Sequence, residues 1–137
     1  MRYSIILFFL IFSLSSSAIA EPTVIVNKSV HVDELNTNDV KQIFMGKKRS
    51  WENGDIIVAA VLESGETHEN FLKKFIEKSR MQFRTYWKKL VFTGKAQALN
   101  EFGSESDLVA FVADTKGAIG YIDSASPHEN VKVITIK

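Results

Sequence analysis

Residues 63–67, Glu-Ser-Gly-Glu-Thr, are the part of this chain whose types and spacing could bind a ligand. They lie between an apolar run typical of a strand and a segment whose apolar residues follow helical spacing. At such a junction the first N–H groups of the helix have no partner inside it, and the helix dipole favours negative charge. We expect any small anion to rest on the backbone N–H groups of Ser64, Gly65, Glu66 and Thr67.

The same residues have a simpler interpretation as an ordinary helix start. The hydroxyl of Ser64 or Thr67 can cap the helix, while Glu66 and Glu69 offset the positive end of its dipole. Acidic residues in a first turn are common in helices. The sequence alone therefore favours a cap over an anion site, and it leaves both open.

No other residue pattern predicts catalysis or a cofactor. None of the three histidines has a second ligand at the spacing of a metal site, so each is interpreted as a lone surface residue: His31, His68 and His128. The chain has no Gly-x-Ser-x-Gly turn, no phosphate-binding glycine loop and no cysteine. We predict a protein that is not an enzyme and that binds no cofactor or metal.

Two basic clusters raise the question of nucleic acid. Lys47–Arg49 is a compact basic loop, and Arg80, Arg84 and Lys88 repeat at four-residue steps along one helix. Binding to single strands would need exposed aromatic side chains beside such a stripe, whereas the aromatic residues here fit the apolar face of the helix. We interpret the stripe as a solvated helix face and expect no nucleic-acid partner.

The N-terminus has the order of features that marks a secretory signal peptide. Arg2 gives a positive start, residues 5–14 are apolar apart from Ser13, and small residues end the segment at Ala20. The apolar run is shorter than the roughly 20 residues that span a bilayer. We therefore expect residues 1–20 to be removed, the mature protein to be periplasmic, and no stable insertion into the membrane.

The composition of the remaining chain fits one neutral domain. Residues 21–137 are 117 in number, which suits a single domain of about 100 to 150 residues. Of 17 basic residues only Arg2 lies in the leader, so the domain carries 16 basic and 16 acidic side chains. With no cysteine, its stability must come from packing.

The hydrophobic pattern alternates between strands and helices. It predicts strands at 23–26, 56–62, 118–122 and 131–136, with the first in the centre of the sheet and the last at an edge. It predicts helices from Asn36 or Thr37 to Met45, over 67–78, from Ser79 through Val91, and from a Ser104 capping box through Val112. Trp51 and Trp87 are predicted to be mainly structural. This alternation predicts an α/β domain with a small mixed sheet flanked by helices.

Two motifs carry a resemblance to a known family. Residues 43–47, Ile-Phe-Met-Gly-Lys, are followed by Trp51, and residues 116–122 read Lys-Gly-Ala-Ile-Gly-Tyr-Ile. Together with Val26–Ser29 and Phe71, they resemble the PstS-like periplasmic phosphate-binding proteins of ABC transporters over nearly the whole of residues 21–137. The resemblance implies a periplasmic-binding-protein-like (PBP) domain in the form of a single lobe, where the family closes two lobes around its anion.

The differences from the family fall on the ligand side. The family's Asp-Gly-Ser-Gly-Thr loop donates hydroxyl and N–H groups to phosphate, and only Thr67 matches it residue for residue. Glu66 places a carboxylate where phosphate needs donors, and Lys116 replaces the usual proline. The family's N-terminal phosphate loop has no counterpart before Val26.

The resemblance leads to two hypotheses. The first is a secreted, non-catalytic solute-binding protein that takes part in phosphate transport, as uptake or sensing, and binds phosphate or a similar anion weakly. The second is a domain without a ligand that contacts an envelope protein, or a second copy of itself, through the face that a second lobe would cover.

Overall fold

The computed structural model describes residues 20–137, so the predicted leader lies outside the described residues except for Ala20. The strands are β1 (Pro22–Val26), β2 (Glu34–Leu35), β3 (Val58–Leu62), β4 (Asn100–Phe102), β5 (Ala118–Asp123), β6 (Lys132–Val133) and β7 (Thr135–Ile136). The helices are α1 (Thr37–Phe44), α2 (Glu66–Phe71), α3 (Arg80–Phe92) and α4 (Glu105–Asp114), with a π-helical turn over Leu72–Ile76.

Five strands form a mixed sheet in the order β4-β3-β5-β1-β6. β3 runs parallel to both β4 and β5, whereas β1 runs antiparallel to both β5 and β6. β1 is thus paired on both sides, as its buried β-branched residues predict, but the central strand is β5. β2 and β7 form a separate parallel pair.

Helices cover both faces of this sheet. Consecutive residues of β5 face opposite sides, so Gly120 and Tyr121 contact helices on different faces. On one side Gly120 leaves room for α4, since a Cβ at Gly120 would lie 2.8 Å from Leu108 Cδ2. On the other side the ring of Tyr121 stacks on Phe71 of α2 at a centroid distance of 3.7 Å. Phe44 of α1 meets the same Tyr121 ring at 5.8 Å. The predicted α/β fold, a small mixed sheet flanked by helices, is confirmed.

One hydrogen bond joins the two motifs found in the sequence. The buried Trp51 donates from Nε1 to the carbonyl oxygen of Gly117 at 3.0 Å. Gly117 has a φ of +76°, and a Cβ there would lie 2.2 Å from the backbone oxygen of Ile56. Only glycine combines this backbone conformation with such a close approach. The motif glycine and tryptophan therefore fasten the loop after α1 to the start of β5.

The strand predictions were wrong at the ends of the sheet. The predicted strand over 131–136 is divided between β6, at the edge of the main sheet, and β7, which pairs with β2. The predicted strand from residue 56 begins at Val58, because Ile56 is 73% exposed and belongs to an isolated bridge with Ser50. The short strands β2 and β4 were not predicted.

The helix predicted over 67–78 changes its hydrogen bonding halfway. It is α-helical to Phe71 and π-helical from Leu72 to Ile76, and the N–H of Glu77 bonds to Leu72 O at 2.7 Å. Glu77 then adopts a left-handed conformation with a φ of +59°. The chain turns there, which allows the separate helix α3 to begin after Ser79.

The helix α3 has its N-terminal cap where it was predicted. Ser79 accepts a hydrogen bond from Gln82 N while the Gln82 side chain accepts one from Ser79 N, a complete capping box. Phe83 is its one buried residue, and two side chains attach it to the end of α1. Tyr86 donates to Met45 O at 2.7 Å, and Trp87 donates to Phe44 O at 3.0 Å. The face of α3 beyond these anchors remains open.

Candidate ligand-binding site at the end of β3

The predicted anion residues lie at one edge of the sheet. Ser64 and Gly65 lead from the carboxyl end of β3 into α2, which begins with Glu66 and Thr67, and the parallel strand β4 ends at the same edge. Ser64, Gly65 and Glu66 are exposed, whereas Thr67 is buried. Open α/β sheets bind ligands at the carboxyl ends of their strands. The position of the loop therefore suits a binding site.

The alternative interpretation of this loop as a side-chain cap is wrong. The residue at the cap position of α2 is Gly65, with a φ of +101°, and no side chain accepts a hydrogen bond from the first turn. By contrast, the side chains of Asn36, Ser79 and Ser104 cap α1, α3 and α4. Neither Ser64 nor Thr67 has the capping role that the sequence favoured.

The uncapped helix start leaves a row of backbone donors. Within residues 20–137, the N–H groups of the four predicted anion residues donate to no acceptor: Ser64, Gly65, Glu66 and Thr67. The first internal bond of the helix runs from Glu69 N to Gly65 O at 3.0 Å. Free N–H groups at a helix start attract anions.

Two carboxylates oppose an anion at this position. Glu63 and Glu66 are both exposed, and neither forms an ion pair with a cation of the described residues. Their negative charges therefore remain uncompensated by the protein next to the free N–H groups. A multiply charged anion would bind here against this repulsion.

His68, which the sequence placed on the surface, is buried under the same turn. It is 3% exposed, and its Nδ1 lies 2.5 Å from the hydroxyl of Tyr121. The same hydroxyl accepts a hydrogen bond from Leu62 N at 3.0 Å. A hydroxyl has one proton and two lone pairs, so that of Tyr121 can either donate to Nδ1 or accept from it. Donation to Nδ1 places the single proton of a neutral imidazole on Nε2.

Burial and the positive charge of Arg80 keep this histidine neutral. Desolvation is the larger cause and Arg80 the smaller, and together they lower the pKa of His68 from 6.5 to about 4. Burial likewise raises the pKa of Tyr121 above its usual range. Within the described residues, no three His, Asp or Glu side chains gather closely enough to hold a metal ion. The His68–Tyr121 pair is therefore a neutral, hydrogen-bonded element of the core.

A groove with a volume of about 990 Å³ opens beside this pair. The helix α3 forms one wall, and the end of β3 forms the other together with Ala98, Leu99 and Glu101. His68 lines the groove between them. Binding sites for small molecules commonly enclose roughly 300 to 1,000 Å³, so the groove is large enough for an organic ligand.

The basic stripe on α3 lines this groove together with aromatic residues. Arg80, Arg84 and Lys88 share it with Phe83 and Trp87. The three cations are exposed, as expected for a solvated helix face, but they are not separated from the aromatic residues. Because α3 is attached only along part of its length, cationic and aromatic side chains reach the same groove.

Sequence reasoning missed the groove and the role of His68. The partner of His68 is Tyr121, 53 positions away, and no local pattern connects them. The available signal was Tyr121 itself, which lies in the second motif and needs a hydrogen-bond partner once its ring is buried. Within residues 20–137, no helix has the length and apolar character needed to cross a membrane.

Comparisons with known proteins bear on the fold. No protein-family model matches the chain, and no curated protein matches it. Several solved structures do match the chain. A protein assigned as a phosphate ABC transporter substrate-binding protein from Clostridium perfringens, with bound phosphate, superposes with a TM-score of 0.64 at 19% identity.

Two further structures give similar values. An ABC-type phosphate transport receptor from Vibrio cholerae has a TM-score of 0.58 at 16% identity, and PstS from Borrelia burgdorferi has 0.60 at 11%. The matches cover 84% to 85% of this chain but 44% to 47% of the other three chains. The chain therefore has the fold of about half of a phosphate transport protein of this kind.

Proposed function

We propose that residues 21–137, after removal of residues 1–20, form a non-catalytic solute-binding protein of the periplasm that serves in phosphate uptake or sensing. The shared fold and the two motifs support this proposal. Intact mass of the periplasmic fraction tests the processing step. A species that keeps residues 1–20 and stays with the membrane would contradict it.

The observation that carries the proposal is the uncapped start of α2 at the carboxyl end of β3. Four successive residues there offer N–H groups without an acceptor in the described chain. Every other α-helix of residues 20–137 has a side chain in that place. An external anion would supply the missing acceptor at α2.

Binding at this loop is expected to be weak. Each charge-assisted hydrogen bond contributes about 1.5 to 3 kcal/mol net, and a single lobe leaves the anion in contact with water. Glu63 and Glu66 add repulsion. We expect a Kd for phosphate at or above about 0.1 mM.

Calorimetric titration with phosphate and sulfate tests the site. Glu66→Gln removes one charge without changing the backbone and should tighten phosphate binding, as should Glu66→Gly, which restores the residue of the resembled family. Glu129→Gln, at an exposed position between β5 and β6, is the matched control and should leave the affinity unchanged. Submicromolar binding by the unmodified protein, or no gain from either Glu66 variant, would place the anion elsewhere.

A second candidate is a module that contacts another envelope protein or a second copy. The exposed side chains at the end of α3 favour it, since Phe92 is 92% exposed and Val91 is 41% exposed. Exposed apolar residues that cluster often mark protein contacts. Light scattering of the unmodified protein and of Phe92→Ser tests self-association. A monomer at every concentration, in both proteins, would remove the homodimer.

A further inference from the structure

The groove beside α3 is lined by a histidine with one ring nitrogen that has no hydrogen-bond partner within the described residues. His68 Nδ1 is occupied by Tyr121, and Nε2 has no partner within the described residues. In that part of the chain, every side-chain nitrogen or oxygen that is fully shielded from solvent does have a partner. Nε2 is therefore reached from outside, and the groove that His68 lines is the opening next to it.

The charges around this nitrogen favour an anion. Four cations line the groove, Arg80, Arg84, Lys88 and Lys89, against two carboxylates, Glu63 and Glu101. Among residues 20–137, none of the four cations lies within ion-pair distance of a carboxylate. The groove thus carries a positive excess that no internal ion pair neutralises.

Apolar side chains form the rest of the lining. Phe83 and Trp87 come from the inner side of α3, Val91 and Phe92 from its end, and Leu99 from the segment before β4. An inorganic anion would leave these side chains in water. A ligand with an apolar body would cover them, which lowers the free energy of binding in proportion to the area buried.

We propose that this groove binds a small organic anion with an apolar body, with its carboxylate at His68 Nε2–H and Arg80 and its body against Phe83 and Trp87. A carboxylate matches the paired donors of a guanidinium. Because His68 is only 3% exposed, its Nε2 is reached by the end of a slender ligand and not by a broad macromolecular surface. The site differs in residues and in ligand class from the loop over Ser64–Thr67.

The length of the apolar body provides the first test. Butanoate, hexanoate and octanoate are titrated into the protein by calorimetry and by tryptophan fluorescence, since Trp87 lines the groove. Affinity should rise by about fourfold for each methylene that becomes buried. Octanol, which has the body without the charge, should bind at least about tenfold more weakly than octanoate. Affinities independent of chain length would overturn the proposal, because charge alone would then explain binding.

Variants locate the head group. Arg80→Gln should weaken octanoate by about tenfold or more, the effect of losing one charge-assisted hydrogen bond. Lys73→Gln, an exposed cation outside this groove, is the matched control and should change nothing. Equal affinities in Arg80→Gln and the unmodified protein would contradict the proposed position of the carboxylate.

The contact between His68 and the ligand can be tested without replacing the residue. Nitrogen NMR of the unmodified protein should show Nε2 protonated in the free state, and octanoate should shift the Nε2 signal far more than that of Nδ1. An unchanged Nε2 signal at saturation would overturn the contact. A single-stranded oligonucleotide or an acidic peptide that binds more tightly than octanoate would assign the groove to a macromolecule and also overturn the proposal.

The outcomes separate this site from the phosphate loop. Octanoate binding that Arg80→Gln weakens and Glu66→Gln leaves unchanged supports the groove, even if phosphate does not bind. Phosphate binding that Glu66→Gln strengthens, without any binding of octanoate, supports the loop and overturns the groove.

Discussion

The two sides of α1 show how differently this chain uses its aromatic residues. On the sheet side, Phe44, Phe71 and Tyr121 are fully buried and packed ring against ring. On the α3 side, Trp87 is half-buried and Phe92 is almost fully exposed. These three rings are among the residues that carry the resemblance, and their role here is packing.

This contrast explains why a fold can be shared when a binding loop is not. Trp51 and Gly117 hold one another in place through a buried hydrogen bond, and a change at either disturbs both. Asn27 similarly donates to the carbonyl oxygens of Val112 and Ala113 at the end of α4. The loop before α2 makes no such contacts through its side chains, so its residues can change without loss of the fold.

The largest expected effect is at the centre of the packed side. Phe71→Ala should lower the free energy of unfolding by about 3 to 5 kcal/mol, since it removes a ring that contacts Phe44, Phe75 and Tyr121. Denaturant unfolding measures it. Phe92→Ala is the matched control on the open side and should change stability by less than about 0.5 kcal/mol. Similar losses in both variants would remove the contrast between the two sides.

The second effect is a dependence of stability on pH. The pKa of His68 is lowered from 6.5 to about 4 on folding, so the unfolded chain binds the proton first as the pH falls. The contribution of this pKa shift to the free energy of unfolding is fully present above about pH 6.5. It decreases toward pH 4, by up to about 3 kcal/mol in total.

Urea unfolding at a series of pH values measures this dependence. His68→Gln cannot titrate and should show a flatter profile between pH 6.5 and pH 4. The carboxylates contribute equally to both profiles, so the difference between them reports His68. Identical slopes for the two proteins would show that His68 is solvated in the folded state.

Trp87 tests the open side. The sequence predicts a mainly structural Trp87, and truncation of a buried large aromatic residue usually costs about 3 to 5 kcal/mol. The ring is half-buried, covers Gly46 and donates to Phe44 O, so we now expect a loss of about 2 kcal/mol. Thermal unfolding checks it. A loss as large as that of Phe71→Ala would mean that α3 is packed as firmly as the sheet.

The features that were predicted correctly depend on residues close together in the sequence. Ser79 and Gln82 form their capping box within one turn, and the strand over 118–122 is marked by its continuous apolar run. The predictions failed where the outcome depends on distant residues. The two-residue strand β2 exists because β7 pairs with it, and His68 is buried because Tyr121 lies beneath it. The sequence also could not distinguish an uncapped start of α2 from a capped one, because the backbone of the folded loop decides whether a side chain reaches the first turn.

The smallest expected effect compares the starts of α2 and α3, where a serine precedes each helix. Ser79→Ala removes a hydroxyl that accepts Gln82 N at 3.1 Å, and it should cost about 1 kcal/mol. Ser64→Ala removes a hydroxyl with no capping contact, and it should change stability by less than about 0.5 kcal/mol. Paired denaturant titrations in buffer without phosphate measure both. In saturating phosphate the free energy of unfolding of the protein should rise, because a ligand that binds only the folded state stabilises it. Equal losses in the two serine variants would show that Ser64 caps α2 in solution and that no acceptor is missing there.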